Sequence, residues 1–400
     1  MPSRFRTTAN WLSATLVICI ALTATAWSRD FCKVCHSEVE VQFRDSAHYL
    51  EDLTCATCHG GDPTAQKEAL AHGGDFRAGP TRAEVPEFCA SCHSDPSQMH
   101  AYGLPVDQYA LYQTSTHGRK LALGDTTAAV CTDCHGTHRI LPRTAPDNPT
   151  NRRNISTTCG RCHADGTLME EAELTADVVE HYEASVHAEA LRQRGDPQVP
   201  DCSRCHGSHG AAPPGTGDIN KVCGQCHGHT RDAFRQSPHW RTMAAEGWGD
   251  CAACHDNHRV ERPTSQMWIS TCKPCHDSGS EAARTGEKIL AILTQAEEEI
   301  AKGHQAIDRA RAVPLDVTDY EARLNTASAY LVETRPLSHS LNVANIEDSA
   351  RKARSVAQEV QATVHKQLDV LEGRNLIVVF VWIYILITIV AIQYYKHSTR

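Results

Sequence analysis

The chain has 400 residues, with 19 cysteines and 24 histidines against only 7 phenylalanines and 10 tyrosines. So few large apolar side chains exclude the core of an ordinary globular enzyme, and the abundant Cys and His indicate a centre built on something that they bind. The formal net charge of −9 excludes the basic surface expected of a nucleic-acid-binding protein, so no nucleic acid partner is predicted.

Residues 1–26 have the pattern of a secretory signal peptide. Arg4 and Arg6 precede an apolar stretch, and the small residues Ala24-Thr25-Ala26 follow it as a cleavage site. An uncleaved anchor is the alternative. Cleavage would remove Cys19, the one cysteine outside the motifs described next. The sequence therefore predicts an exported domain.

Eighteen cysteines occur as nine Cys-x-x-Cys pairs, each followed directly by histidine. A shuffled chain of this composition would contain about 0.05 such motifs. The motifs, numbered one to nine in chain order, are Cys32/Cys35/His36, Cys55/Cys58/His59, Cys89/Cys92/His93, Cys131/Cys134/His135, Cys159/Cys162/His163, Cys202/Cys205/His206, Cys223/Cys226/His227, Cys251/Cys254/His255 and Cys272/Cys275/His276.

This spacing is typical of c-type haem attachment. Two thiols three positions apart reach the two vinyl groups of one porphyrin edge, and the adjacent imidazole reaches the iron as proximal ligand. Zinc ribbons and disulfides are the alternatives, but neither needs a histidine directly after each pair. We therefore expect nine covalently bound haem c groups within residues 27–280, a domain whose core is the haems themselves.

Repeated phrases group the motifs into two-haem units over residues 32–88, 89–158, 159–222 and 223–271, followed by motif nine. A Ser-x-His phrase precedes the second motif of each unit, and in units two to four another histidine stands three positions after that motif. These repeats nominate seven distal iron ligands: His48, His117, His187, His239, His138, His209 and His258. A histidine so close to its own motif cannot easily loop over its own haem. We therefore expect His138, His209 and His258 to serve neighbouring haems.

Two distal positions fall outside the repeat. Unit one has Asp62 where its second extra histidine should stand, and His72 is the predicted substitute. For the ninth haem the candidates are His339, in the break after Pro336, and His304, on an apolar helical stripe. His339 is preferred, because a histidine on such a stripe is more often part of a core than a ligand.

After residue 280 the pattern predicts long helices. Residues 281–312, 319–334 and 345–371 read as helices of a hairpin or three-helix bundle, which we interpret as a stalk over residues 281–372. Residues 376–395 carry no charge and are long enough to span a bilayer, with a buried core helix as the alternative. Lys396 and Arg400 then predict a cytoplasmic tail over residues 396–400.

The motifs, and above all the stretch CASCHSDPSQMHAYGLPVDQYALYQTSTHGRKLALGD followed by CTDCHGTHRILP, resemble multihaem c-type cytochromes built from doubled CxxCH units. The likeness covers residues 30–280 and extends to cytochrome c3 and tetrahaem quinol-oxidising cytochromes. It implies low-potential haems with two histidine ligands and electron transfer in respiration. The helices after the last motif resemble those of pentahaem nitrite reductases and octahaem hydroxylamine oxidoreductases. No Cys-x-x-Cys-Lys motif is present, so a nitrite-reductase active site is not predicted.

The sequence thus predicts a mainly α protein with much irregular structure, in which a haem-cored domain precedes helices and one transmembrane helix. The expected function is electron relay between a quinol-reactive membrane subunit and periplasmic redox proteins, on the periplasmic side of the cytoplasmic membrane. The alternative is a haem oxidoreductase in which one five-coordinate haem acts on a small nitrogen or sulfur oxyanion. A filament-forming extracellular wire is a third interpretation, which the transmembrane segment disfavours.

Overall fold

The computed structural model describes residues 30–214, 219–246 and 250–399, so the predicted signal peptide and Cys19 lie outside the described residues. Helices are the only regular elements within these ranges, which confirms the mainly α prediction. Those before residue 281 are short: α1 Phe31–Cys35, α2 Ser37–Arg44, α3 Ala47–Leu50, α4 Cys55–His59, α5 Glu68–Ala71, α6 Val85–His93, α7 Pro96–Met99, α8 Gln108–Thr114, α9 Thr116–Ala122, α10 Cys131–His135, α11 Ile155–His163, α12 Gly166–Glu171, α13 Val178–Glu183, α14 Val186–Glu189, α15 Cys202–His206, α16 Ile219–Cys223, α17 Gly228–Phe234, α18 Pro238–Glu246, α19 Ala252–His255 and α20 Met267–Ser270.

The chain divides into two compact lobes. The first comprises the described residues up to Arg161 together with Gly207–Ala212, and the second comprises Cys162–His206 together with the described residues from Pro213 onward. The second lobe therefore contains both the later motifs and the long helices that follow them.

Three long helices, α21 Glu281–Arg311, α22 Thr318–Leu337 and α23 Val343–Ser398, form a bundle. Their buried residues recur alternately three and four positions apart, which is the heptad spacing of coiled-coil packing. On α23 this seam consists of Ile346, Ala350, Ala353, Ala357, Val360 and Val364. Gly303 belongs to the matching seam of α21, where a Cβ atom would lie 2.6 Å from Leu324 Cδ1. Small residues thus allow the three helices to approach closely.

Side-chain contacts give the direction of each bundle helix. Gln361 Nε2 on α23 donates to the Glu299 carbonyl of α21 at 2.8 Å, and Arg354 reaches Gln295 at 3.4 Å, so α21 and α23 run parallel. Along α21, the end of α22 contacts an earlier residue than its start does: Arg335 reaches Glu297 at 3.1 Å and Glu321 reaches Arg311 at 2.5 Å. The same order holds along α23, where Thr334 contacts Ser349 at 2.8 Å and Arg323 contacts Glu359 at 2.8 Å. The middle helix α22 therefore runs antiparallel to both neighbours.

Helix α23 continues without a break from the bundle through the apolar segment. It is long and apolar enough to cross a membrane, and the most apolar part of it is not buried by the protein. The sequence pattern separates a bundle helix ending at residue 371 from the span at 376–395, but the structure joins them. Gly373 does not end the helix, because one glycine inside a helix costs only about 1 kcal/mol relative to alanine.

Candidate metal-binding histidine pairs

Short helices or turns carry the motifs, and their ends have a local sequence explanation. In motifs two, four and six the helix ends at the motif histidine and the next residue is glycine. Gly60, Gly136 and Gly207 all adopt positive φ, a conformation that glycine reaches without a Cβ clash. At the other end of motif four, Asp133 accepts from Val130 N at 2.7 Å and binds Arg82 at the same distance. These contacts fix the orientation of the motif.

Eight of the nine motif histidines face the ring of a histidine from elsewhere in the chain. The ring centroids are 5.9–6.4 Å apart in every case, and each pair lies within one lobe. The pairs are His36 with His72 (6.2 Å), His93 with His48 (5.9 Å), His59 with His138 (6.4 Å), His135 with His209 (6.1 Å), His227 with His187 (6.4 Å), His206 with His258 (5.9 Å), His276 with His239 (6.0 Å) and His255 with His339 (6.1 Å).

This spacing suits two imidazoles that share one metal ion. Two metal–nitrogen bonds of about 2 Å each, plus the distance from each ring centre to its nitrogen, give a centroid separation of about 6 Å. Rings stacked in direct van der Waals contact lie closer, as His72 and Phe76 do at 4.3 Å. The histidine pairs therefore leave room for an ion between them.

In seven of the eight pairs at least one imidazole has a lowered pKa, which favours the neutral form that binds metals. Burial lowers the pKa of His135, and the neighbouring charges of His209 and His93 lower it further. Burial is also the largest cause of the lowered pKa of His339, followed by its partner His255. Nine other histidines have a lowered ring pKa with burial as the largest cause: His48, His93, His138, His163, His187, His209, His239, His255 and His258.

A simple rule relates partner histidines to the repeat. The Ser-x-His histidines of units one, three and four pair with the first motif of the following unit: His48 with motif three, His187 with motif seven and His239 with motif nine. Histidines three positions after a motif pair with the second motif of the preceding unit: His138 with motif two, His209 with motif four and His258 with motif six. As the sequence predicts, none of these three faces its own motif.

The serine of the Ser-x-His phrase has a structural role that sequence reasoning missed. Ser46, Ser115 and Ser185 are buried and accept hydrogen bonds from backbone N–H groups three residues later, at 3.0, 2.9 and 3.2 Å. Each is thus the N-cap of the short helix that carries a partner histidine. The repetition of serine at the same place before these histidines is the sequence signal for this cap.

The residue after each of these serines makes a second repeated contact. Its backbone N–H donates to a carbonyl five residues after a later motif histidine: Ala47 to Ile140 at 2.7 Å, Thr116 to Ala211 at 2.9 Å and Val186 to Val260 at 2.9 Å. The helix cap therefore also connects each Ser-x-His phrase to the segment that follows a motif of the next unit. No pattern in the sequence identifies these carbonyls.

Two tyrosines brace the motifs in a similar way. Tyr112 donates to the Ala129 carbonyl at 2.9 Å, and Tyr182 donates to the Pro200 carbonyl at 3.1 Å. Each acceptor lies two residues before the first cysteine of a motif, and each tyrosine lies three residues before the serine of a Ser-x-His phrase. Burial, as the largest cause, raises the pKa of both phenols to about 12, so they remain protonated donors.

Two histidines that do not belong to the repeat, His72 and His339, face motifs one and eight. His72 faces His36 of motif one, not motif two, whose His59 already faces His138. His339 faces His255 of motif eight, which corrects its expected assignment to the ninth haem. Motif nine is the first motif of an incomplete fifth unit, so the Ser-x-His rule gives it His239.

His339 comes from the bundle, in the turn between α22 and α23. Its Nδ1 lies 3.2 Å from the Pro336 carbonyl, and the Trp268 ring packs edge-on against it at 5.6 Å. Gly286 of α21 allows this packing, since a Cβ there would lie 2.2 Å from the Trp268 carbonyl. The competing candidate His304 is exposed on α21.

His117 and His163 each lie at one end of a helix. His117 is the second residue of α9, after the capping serine Ser115, and His163 ends α11. Other spare histidines lie away from the pairs: His100 and His229 are exposed, His181 lies 3.8 Å from Asp177, and His365 contacts Arg309 at 2.9 Å.

The cysteines place consecutive motifs side by side within each lobe. Partial burial raises the pKa of Cys58, Cys134, Cys205 and Cys254, and the next largest cause in each case is a cysteine of the following motif: Cys92, Cys159, Cys223 and Cys272. The first cysteines of motifs three and four, Cys89 and Cys131, lie close enough to shift each other's pKa, and so do Cys223 and Cys251 of motifs seven and eight. Attachment edges of successive motifs are therefore neighbours.

Five motif cysteines are exposed. In each case the exposed residue is the second cysteine of its motif: Cys35, Cys205, Cys226, Cys254 and Cys275. The first cysteines of all nine motifs are half-buried. The short motif helices pack one side against neighbouring segments, and few large apolar side chains are available to cover the other side. The protein alone thus leaves these five thiols accessible to an attached group.

In motifs seven and nine, regular helix does not cover the whole Cys-x-x-Cys-His sequence. In motif seven the helix ends at Cys223, so Cys226 lies in the turn that follows. In motif nine both Cys272 and Cys275 lie in turns after α20. In both motifs a backbone N–H bond, from the motif histidine to the carbonyl of the first cysteine, still closes one helical turn. The thiol spacing is therefore kept although no regular helix spans the motif.

Among the described residues, no three Cys, His, Asp or Glu side chains converge in the way that a metal bound only by protein groups requires. The histidines meet in pairs, so the remaining ligands of a six-coordinate ion would come from a group bound between the rings. No family model, curated protein or solved structure matches this chain.

Proposed function

We propose that the chain is a membrane-anchored multihaem c-type cytochrome that relays electrons through nine haems. The observation that carries this proposal is the set of eight histidine pairs with centroids 5.9–6.4 Å apart, each joining a CxxCH motif to a second imidazole. A porphyrin supplies the four equatorial nitrogens that the protein lacks, and the pairs would supply both axial ones.

The residues fit haem in three further respects. Neutral imidazoles are ready to bind iron, the two thiols of each motif lie at the spacing of the two vinyl groups, and none of the described cysteines is engaged in a disulfide. Residues of every motif would hold one haem through two thioether bonds, and the exposed second thiols leave a side open for the porphyrin. For the fifth haem, His117 remains the predicted distal ligand of the repeat.

Haem, when bound, supplies reversible one-electron exchange between ferric and ferrous iron. The protein's own contribution is to position His48, His117 and His187 through buried serine helix caps and to keep cysteines of neighbouring motifs close together. A histidine pair that held one haem iron would leave no open position on it, which supports electron relay over oxyanion reduction. The eight pairs include motifs one and nine, where an open position would be most expected.

The partners follow from the termini and the charge. The apolar end of α23 is suited to a single membrane crossing, which favours attachment to the cytoplasmic membrane with the motifs on the periplasmic side. One such helix provides no quinol site of its own, so a quinol-reactive membrane subunit is the expected donor or acceptor. The net charge of −9, before any haem propionate is added, favours basic periplasmic partners.

A stoichiometry measurement on the intact purified chain tests this proposal. Pyridine haemochrome analysis, combined with the mass of the intact chain, should give nine haems per polypeptide. Redox titration followed at the haem absorption bands should show all of them accepting electrons reversibly. A chain that matures with zinc, or with clearly fewer than nine haems, would refute the proposed function.

A further inference from the structure

One helix links a histidine pair to the apolar segment at the far end of the chain. His339 lies in the turn just before α23, and its ring faces that of His255 in motif eight. The same α23 runs unbroken through the uncharged span that starts at Leu376. At 1.5 Å per residue, the helix between Val343 and Leu376 is about 50 Å long.

The bundle makes this length rigid. The buried seam of α23 continues to Val364, and Leu368 packs against the same core. Leu315 and Val317, from the connection between α21 and α22, also pack against this core. The helix continues for only about 12 Å from Leu368 to Leu376, where the uncharged segment starts. Most of the distance is therefore three packed helices, not a flexible tether.

From this geometry we infer that the bundle is a spacer, which makes motif eight exchange electrons with a redox protein in the aqueous phase and not with a quinol dissolved in the lipid. The inference rests on the proposed relay function and specifies its partner. Each exchange moves one electron between the protein partner and the chain, and no covalent bond forms or breaks. The quinol-reactive subunit must accordingly reach the motifs through an extramembrane domain or a soluble carrier.

Two quinols with the same ring and different tails test the inference on the full chain in lipid nanodiscs. Oxidation of one quinol to quinone releases two protons and two electrons, which reduce two ferric haems. We expect the tail-less, water-soluble quinol to reduce the haems at least about tenfold faster than a long-chain quinol confined to the bilayer, because transfer requires close approach. Equal rates would overturn the spacer but leave the relay intact. Failure of dithionite, a small soluble reductant, to reduce the haems would instead refute the relay itself.

Two insertions of equal length between Leu371 and Glu372 provide the matched variants. Eleven Ala/Glu/Lys residues add three helical turns and keep the helix rigid, whereas eleven Gly/Ser residues form a flexible linker that lets the haem-bearing end approach the bilayer. The flexible insertion should raise reduction by the long-chain quinol about fivefold or more through this freedom of approach, and the rigid one should leave it unchanged. Equal effects of both insertions would show that distance does not limit the reaction and would overturn the inference.

Discussion

The region before residue 281 and the bundle after it solve the folding problem in different ways. The bundle buries a continuous set of aliphatic side chains along its heptad seam, among them Ile289, Ile307, Leu324 and Ile346. The motif region has only scattered buried apolar residues, and its most deeply buried side chains include the serines Ser46, Ser115 and Ser185. The comparison teaches that the motif region has polar caps and histidine pairs where the bundle has an apolar core, so the proposed haems would have to supply the stability that apolar packing gives the bundle.

Preventing haem attachment should produce the largest difference in stability between the motif region and the bundle. In a chain produced without haem attachment, we expect backbone amides of residues 30–280 to lose protection while the bundle stays protected, because the bundle core needs no cofactor. Hydrogen exchange measured by mass spectrometry, with the haem-loaded chain as control, gives both results in one experiment. Equal protection of the motif region with and without haem would break the comparison.

A cavity in the bundle should have the converse effect. Leu324→Ala removes a fully buried side chain from the seam and should destabilise the bundle by about 2–5 kcal/mol. Val332→Ala is the matched control on the same helix, because Val332 is 62% exposed, and it should change the stability by less than about 0.5 kcal/mol. Chemical denaturation followed by helix content measures both. Similar losses for the two variants would argue against a core at this seam.

The contact between the two regions at His339 can be tested separately. His339→Ala should convert one low-spin haem in nine to a high-spin form and leave the other eight unchanged, since only motif eight faces this histidine. His304→Ala, on the exposed face of α21, should leave the spectrum as it is. Magnetic circular dichroism distinguishes the spin states. An unchanged spectrum for His339→Ala would remove the bundle from the haem ligation.

The smallest effect should come from a single helix cap. Ser185→Ala removes the acceptor of the Ala188 N–H bond and should cost about 1 kcal/mol. Ser237 occupies the same place in unit four, and its hydroxyl has no hydrogen-bond partner among the described residues, so Ser237→Ala should cost less. Thermal unfolding of the haem-loaded variants gives the ranking. A larger loss at Ser237 would contradict the role assigned to the cap.

The sequence predicts the members of the histidine pairs better than their pairing. The repeat identifies His138 and His209, because each stands at a fixed distance after a motif. It does not show that His138 faces motif two, because that pairing depends on how two units pack against each other. His339 has no repeated neighbour at all, and only the packing of α22, α23 and Trp268 brings it to motif eight.

The cysteines divide in a similar way between what is local and what is not. Motif spacing predicts that Cys226 and Cys275 are attachment residues, because two thiols three positions apart are a property of the chain itself. Their exposure, and the turns in which they lie, depend on how little of the surrounding chain packs over motifs seven and nine. The sequence pattern alone therefore does not predict which thiols the polypeptide covers.

The helices show the same limit. The apolar pattern after residue 280 predicts long helices, and the structure has them there, because apolar spacing is a local property of the chain. The continuity of α23 through Gly373 does not follow from the residues next to this glycine. Packing against the bundle up to Val364 and the apolar segment from Leu376 onward favour helix before and after it. The length of continuous helix between His339 and the apolar segment thus becomes visible only in the structure.

The most direct test of the account is a count of haem spin states in the intact oxidised protein by near-infrared magnetic circular dichroism. Two imidazoles on each iron give a low-spin charge-transfer band that thiolate, methionine or open coordination does not give. We expect nine haems with two histidine ligands and no reaction with cyanide. A high-spin haem that binds cyanide or nitrite would contradict the relay and favour an enzyme.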